Sequence, residues 1–543
     1  MKKNSFLSGA FISTLGIIAV KIIGVIYVIP FNALIGQKGG ALYGYAYNMY
    51  ALFLSISSAG LPFAVSKLTS EYIALDSKES VTRIYGISKR IIFLLSAFIF
   101  LLLFLLATPI AKLIAVSGTG GNTVEDISMV LRIVSLAILV VPFLSVTRGF
   151  LQGHKIISPG SFSQVIEQLV RVIVILVGCY LSLKVFHLGL TTAVAISVFA
   201  AFIGGVVALL YLQVKLHRSD LLEKKSNEAG IDTKTIIKKL CFYAVPYVVI
   251  SAVSNLYEIT DMVIVQRVMN DILKIDAVTT ESVSSIFTIW GGKFNGIILA
   301  GIIGLNTSLT PNLVTSFTKG DIKDVSSKIN KSLEWILLLI VPLTLFISMF
   351  SGSVWTMFYG YNEIGEVVYQ MFVFYALFGG TYTVLVNILQ SLSKYKEVMI
   401  SIIIGLFFNL IFDAPFMLLF HKLGFAPANG AVFCGLVGYT ISSAYSILIL
   451  SKRYGISFQE TYQKAKQLIP NWIFFFVVLW CVKYLAPTNL RGRIIQIPIL
   501  GISCFICFII YFIACRYCGV FKDMMPKDII QKLKKKLKLN KSN

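Results

Sequence analysis

Apolar runs of about 20 residues, each long enough to cross the hydrocarbon core of a bilayer, recur along nearly all of the 543 positions of this chain. Backbone at that depth must satisfy its own hydrogen bonds, which leaves only helices or a closed barrel. The runs are continuous rather than alternating, so they predict helices. Taking each apolar stretch between charged or Pro/Gly-rich loops as one helix yields about fourteen spans. They are 6–29, 43–65, 91–116, 128–152, 158–183, 188–213, 240–266, 283–310, 333–358, 367–391, 397–421, 428–450, 468–486 and 494–515. The expected fold is therefore an all-α polytopic membrane protein. Only 13% of the residues are charged, against roughly 25% in soluble domains, and the mean hydropathy is +0.83. The first span follows two lysines, lacks a small-residue cleavage pattern and carries Lys21, so it reads as a retained helix rather than a signal peptide.

A net charge of +23 suggests nucleic acid until its distribution is read. Lys67, Lys78, Arg83, Lys89 and Arg90 fall in one loop, Lys215 through Lys239 in a second, and Lys319, Lys323, Lys328 and Lys331 in a third. Lys394 and Lys396, then Lys452, Arg453, Lys464 and Lys466, continue the series. The intervening loops 117–127 and 359–366 have no Lys or Arg and carry Glu125, Asp126, Glu363 and Glu366. This is the positive-inside asymmetry, and it sets both termini in the cytoplasm of a cell-membrane protein. The basic tail 517–543, with Lys534-Lys-Lys536 among Ile529, Ile530, Leu533 and Leu537, is expected to lie on the anionic inner leaflet, with RNA the distant alternative. The pairs Cys504/Cys507 and Cys515/Cys518 sit at the end of one apolar helix, too close together for a zinc ribbon, and read as packing residues. No metal site is expected.

Sequence echoes divide the chain. Gly60-Leu-Pro-Phe-Ala-Val-Ser-Lys-Leu-Thr-Ser-Glu71 leaves the second span as Ser308-Leu-Thr-Pro-Asn-Leu-Val-Thr-Ser-Phe-Thr-Lys319 leaves the eighth, and Leu151-Gln152 ends the fourth as Leu389-Gln390 ends the tenth. Two six-helix lobes, offset by about 240 residues, follow; an even number of spans per lobe makes the repeat parallel, with the solute between the lobes. The expected organisation is an N-lobe at 1–213, a cytoplasmic amphipathic linker at 214–239, a C-lobe at 240–451, two extra spans at 452–516 and the tail.

Ionisable side chains at membrane depth are costly and usually face a cavity. The densest run of them is Arg148-Gly-Phe-Leu-Gln-Gly-His-Lys155 with Ser163-Gln-Val-Ile-Glu167-Gln-Leu-Val-Arg171, which points to a transporter of an anionic solute. Lys21 stands mid-helix, where a cavity-facing cation competes with a side chain that snorkels to the interface. Lys293, in Trp290-Gly-Gly-Lys-Phe-Asn-Gly296, has glycines beside it that allow a bend or a close approach, and it could meet Lys21 across the central cleft. Glu167 and Arg171, four apart on one face, either neutralise each other or form a pair that switches between states. Arg148 either ties its short loop to Glu167 or binds ligand. Glu258 and Asp261 share a face of the seventh span and could bind a coupling cation or pair with cavity lysines. Asp413, before Pro415, reads as a helix-break residue. No P-loop of the Gly-x-x-x-x-Gly-Lys-Ser/Thr type occurs, so ATP is not the evident energy source, and nothing resembles hydrolytic chemistry; the chain reads as a non-enzyme.

Lys21-Ile-Ile-Gly24, Gly60-Leu-Pro-Phe-Ala-Val-Ser-Lys67, Arg148-Gly-Phe-Leu-Gln-Gly153 and Ser163-Gln-Val-Ile-Glu-Gln-Leu-Val-Arg171 resemble the MurJ/SpoVB (YtgP-like) branch of the multidrug/oligosaccharidyl-lipid/polysaccharide (MOP) exporter superfamily. The resemblance extends over the whole length. It implies a flippase for an undecaprenyl-pyrophosphate-linked cell-wall precursor, lipid II first among them, with no cofactor and with the membrane potential or a coupling cation as drive. It also implies membrane lipids and cell-wall synthesis enzymes as partners, and no nucleic acid. By that resemblance Lys21 matches the first basic residue of the family's opening helix, which lines the cationic cavity and faces the pyrophosphate, and Lys293 lies within about a residue of the basic position of the eighth helix. The second basic residue of the opening helix is replaced by Val28, and the second helix offers no charged partner, which thins the cavity charge. Alternatives are a flippase for a capsule, teichoic or spore-wall unit, a MATE-like cation-coupled drug exporter using Glu258 and Asp261, and a scaffold that does not transport.

Overall fold

A computed structural model describes residues 20, 22–219, 221, 231–487, 490 and 492–520, with the backbone alone at 303–312. Every regular element among the described residues is helical. In chain order they are α1 (Val28–Ser58), α2 (Leu61–Ala74), α3 (Lys78–Ile114), α4 (Val124–Gly153), α5 (Ser158–Val185), α6 (Leu190–His217) and α7 (Thr233–Ile272). They continue as α8 (Ala277–Ser285, running on through Gly291–Thr318), α9 (Ile322–Met349), α10 (Ser351–Tyr359), α11 (Glu363–Ser391), α12 (Tyr395–Lys422), α13 (Pro427–Tyr454), α14 (Gln459–Leu485) and α15 (Arg493–Tyr517). Thirteen helical stretches among the described residues are long and apolar enough to cross a membrane. More than half of the opening span expected at 6–29 falls outside the described residues, as do Lys21, residues 220 and 222–230 of the expected linker and the tail beyond Val520.

The helices overshoot the apolar runs that reveal them. α3 is 37 residues long, so Lys78, Arg83, Lys89 and Arg90, expected in a loop, ride on its first turns. No proline interrupts that polar stretch, its single Gly86 is tolerated within the helix, and helical hydrogen bonding does not stop at a membrane surface. The connection expected at 30–42 is helical as well, broken once inside α1 at Gly36, whose φ of 63° lies in the left-handed region open to glycine. Asp126, expected as a loop acid, instead builds the capping box of α4. Its backbone N–H donates to Thr123 Oγ1 at 3.1 Å, and its carboxylate accepts from the Thr123 backbone N–H at 3.0 Å.

Lipid tails are as apolar as leucine, so helices associate in a bilayer through close backbone approach at small residues rather than through hydrophobic burial. Gly40 and Gly44, one turn apart on α1, seat Trp290 and Thr288 of α8; a Cβ on Gly40 would stand 2.4 Å from the indole nitrogen. The indole is fully buried.

The described residues pack as two compact units. One comprises those of Met1–Ala300 and Tyr395–Ser442, the other those of Gly301–Lys394 and Ser443–Asn543. The sequence echo at the two Leu-Gln pairs recurs in the backbone. In the first unit Lys155 takes φ 61° and the N–H groups of Lys155 and Ile156 return to the carbonyls of Gln152 and Leu151. In the second Ser393 takes φ 60° and the N–H groups of Ser393 and Lys394 return to Gln390 and Leu389. Both are helix ends closed by a single left-handed residue. The other echo does not repeat: 61–74 is a separate helix, whereas its counterpart stays inside α8.

Candidate functional site

Two of the quoted sequence segments form one interface. On α4, Gly149 and Gly153 are one turn apart and lie against α2: a Cβ at Gly149 would stand 2.4 Å from the carbonyl oxygen of Pro62, and one at Gly153 would stand 2.8 Å from that of Ser66. Ser70 Oγ donates to the Gly153 carbonyl at 2.8 Å. This glycine seam sets the position of Arg148, the residue just before it.

Arg148 Nε donates to Ser163 Oγ at 2.7 Å, and its Nη2 to Glu167 Oε2 at 2.9 Å. The other oxygen of Glu167 accepts from Arg171 Nη2, also at 2.9 Å. The three side chains are 18%, 14% and 15% exposed. Both structural alternatives drawn from the sequence are thus realised by one carboxylate, which holds Arg148 across the α4–α5 turn and pairs with Arg171 along α5. Gly204 of α6 makes room: a Cβ there would stand 2.8 Å from the Glu167 carbonyl oxygen. Two guanidiniums against one carboxylate leave a net positive charge, and Arg171 Nε is buried without a hydrogen bond.

Arg171 lies within electrostatic reach of Tyr43, Tyr47 and Tyr50 of α1. The Tyr43 and Tyr47 rings stack at 5.8 Å, and Tyr47 and Tyr50 are also 5.8 Å apart. Lys293 is half-buried, with Nζ 5.5 Å from the Tyr27 ring centroid, and it too feels Tyr47 and the charge of Arg171. The tyrosines thus join Lys293 to the Arg148–Glu167–Arg171 chain. Sequence reasoning passed over them, although the spacing Tyr43, Tyr47, Tyr50 places all three on one helix face. The glycines around Lys293 act differently from expectation: a Cβ at Gly292 or Gly296 would meet none of the described residues within 4 Å, and the irregularity lies just before them, in a π turn at Ile286–Trp290.

The acidic candidates separate. Glu258 is exposed, whereas Asp261, three residues on, is 5% exposed. Asp261 accepts a hydrogen bond from the Asn409 side-chain amide of α12. Tyr257 Oη lies 3.2 Å from both Asn409 Oδ1 and the Gly435 carbonyl. Asp413, one turn beyond Asn409, is fully buried and interacts with Asp261 and Cys434. It lies inside the unbroken α12, so the break expected at Asp413-Ala-Pro415 does not occur; a proline within a membrane helix is tolerated where neighbours re-satisfy the freed carbonyl. Among the described residues no group of three or more His, Cys, Asp or Glu is placed to hold a metal ion. Cys507 and Cys515 are buried packing residues of α15.

Comparison with known proteins places this arrangement. The family described as "Polysaccharide biosynthesis protein" matches residues 6–273. The chain is 33% identical over 470 residues to the lipid II flippase MurJ of Bacillus subtilis (strain 168), covering 84% of each. It is 24% identical over 473 residues to the stage V sporulation protein B of the same organism, covering 84% of this chain and 88% of that one. Among solved structures, an inward closed conformation of the lipid II flippase MurJ aligns over 92% of this chain and 99% of its own, with TM-score 0.64 at 15% identity. An inward-facing MATE family transporter of the MOP superfamily aligns over 80% and 94%, with TM-score 0.63 at 13% identity. At such identities the structural likeness speaks for the fold.

Proposed function

The chain belongs to the MurJ/SpoVB family of the MOP exporter superfamily, and on that premise we propose that it flips a polyprenyl-pyrophosphate-linked cell-wall precursor, lipid II first among them, from the inner to the outer leaflet by alternating access. The observation that carries this reading is the excess of cations in a largely apolar environment: Arg171 and Lys293 are set near the Tyr27, Tyr43 and Tyr47 rings, and Glu167 is the carboxylate that pairs Arg171 with Arg148. A pyrophosphate needs such cations at membrane depth, and fixed guanidiniums suit its oxygens. Lys21 joins this set by family resemblance. Tyrosine hydroxyls supply further donors while their rings keep water out.

With both termini cytoplasmic, an inside-negative potential drives the headgroup outward by about 2.3 kcal/mol per charge per 100 mV. The buried carboxylates Asp261 and Asp413, with Asn409 and Tyr257, support a proton or a monovalent cation as an additional coupling species. Glu258 stands apart on the exposed side of α7. A drug exporter for organic cations suits the basic cluster poorly, because like charges repel. Replacement of the family's second basic residue by Val28 favours, as the second reading, a different lipid-linked glycan.

The test is depletion of the protein in cells with no other flippase of this kind, followed by identification of the precursor trapped on the inner leaflet. Trapped lipid II is the expected result. Normal lipid II exposure with another glycan trapped transfers the assignment to that glycan, and no trapped precursor at all overturns the flippase reading.

A further inference from the structure

The second unit holds a polar cavity of 480 Å³ built from α10, the first turn of α11 and the end of α14, within the usual range for small-ligand sites of about 300–1,000 Å³. Ser351, Ser353 and Thr356 of α10 line it, with Tyr361, Glu366 and Lys483. By the charge asymmetry of the loops it opens on the face away from the basic loops.

Three features point to a ligand and to its chemistry. The Ser353 hydroxyl is buried, 4% of the residue being exposed, and has no hydrogen-bond partner among the described residues; a buried hydroxyl left unpaired costs about 1–3 kcal/mol. Glu366 accepts from Thr356 Oγ1 at 3.0 Å and lies against Gly352, where a Cβ would meet its carboxylate at 3.1 Å. A carboxylate therefore already occupies the N-terminal end of α10, where an incoming anion would otherwise be drawn. Lys483 is half-buried and makes no ion pair among the described residues. Among the described lining residues one cation and one carboxylate balance, while hydroxyl, ammonium and carboxylate groups offer both donors and acceptors. Tyr361, 45% exposed, adds a ring edge or face at the rim.

We propose that this cavity binds a neutral, hydroxyl-rich sugar unit on the outer face. Each hydroxyl of a sugar both donates and accepts, matching Glu366 on one side and Lys483 with Ser353 on the other. The inference rests on the flippase reading only for the source of the sugar: the glycan of the translocated lipid after it emerges, or the glycan of the finished wall.

The test uses the full chain in phospholipid nanodiscs, free of sugar detergents, titrated with a soluble N-acetylated amino-sugar disaccharide and read by saturation-transfer NMR. Binding at millimolar concentration is expected, weakened roughly three- to tenfold by Ser353→Ala and at least as much by Glu366→Gln or Lys483→Met, the size of one or two lost hydrogen bonds. Ser353→Ala removes a single oxygen, so its unfolding temperature is expected to stay at that of the parent. No binding, equal binding by all three variants, or displacement of the disaccharide by inorganic phosphate overturns the proposal. Competition by the sugar-bearing lipid but not by the bare polyprenyl phosphate assigns the site to the translocated glycan, and competition by wall fragments alone assigns it to the wall. Flipping is measured separately, so loss of the flippase reading leaves this result standing and the reverse.

Discussion

Glu167 carries more of the site than its single charge suggests, because each of its oxygens holds a different arginine. Hydrogen bonds to charged groups contribute about 1.5–3 kcal/mol, and Glu167→Gln leaves two guanidiniums facing each other across a neutral amide. Its unfolding temperature in detergent is expected to fall. The Arg148→Gln, Glu167→Gln double variant is expected to lose less than the sum of the two single losses, and a double-mutant cycle reads the difference; strict additivity would mean that the pair is not formed. Lys293 makes a different demand, being set against the Tyr27 ring rather than a carboxylate. Lys293→Ala is expected to lower flipping in proteoliposomes at least about tenfold, one lost charge-assisted contact to the phosphate, while the protein still inserts. Lys293→Arg, which keeps the charge over the ring, is expected to retain more; full activity of the alanine variant would remove Lys293 from the site.

At the scale of elements, the positions that matter are where backbones touch. Gly149→Val places side-chain carbons against the Pro62 backbone, which cannot move aside as a side-chain tip would. Overpacking of this kind costs about 1–3 kcal/mol, and separating α4 from α2 would also shift Arg148 from Ser163 and Glu167. Loss of both stability and flipping is expected. Gly292→Ala provides the contrast, since none of the described residues lies within 4 Å of the added carbon and alanine favours a helix interior over glycine by roughly 0.5–1 kcal/mol. Its unfolding temperature is expected to hold or rise, and a fall would show that the space beside Lys293 has to stay empty.

For the molecule as a whole, the proposed transport reading assigns the substrate to the basic cluster and the coupling ion to Asp261 and Asp413. Asp413→Asn keeps shape and removes one buried charge, so flipping in proteoliposomes is expected to lose its response to an imposed ion gradient while keeping its response to an imposed potential. Loss of neither response would separate Asp413 from coupling.

Continuous apolar runs determined the helical membrane fold, because a bilayer permits so few solutions to the backbone's hydrogen bonds. The candidates Arg148, Glu167, Arg171 and Lys293 were legible for the same reason: a charge in an apolar run stands out, whatever it touches. The pairing of Glu167 with Arg148 and Arg171 was legible too, because those residues are close in sequence; which groups meet between distant helices was not. Asn409 and Asp413 lie about 150 residues from Asp261 in sequence and beside it in space, while Glu258, on the adjoining turn, is exposed. The tyrosines of α1 and the seam at Gly149 and Gly153 carry no charge against which to notice them. Only the packing of helix on helix decides such contacts, since a helical period places residues on a face but does not say which partner that face will meet.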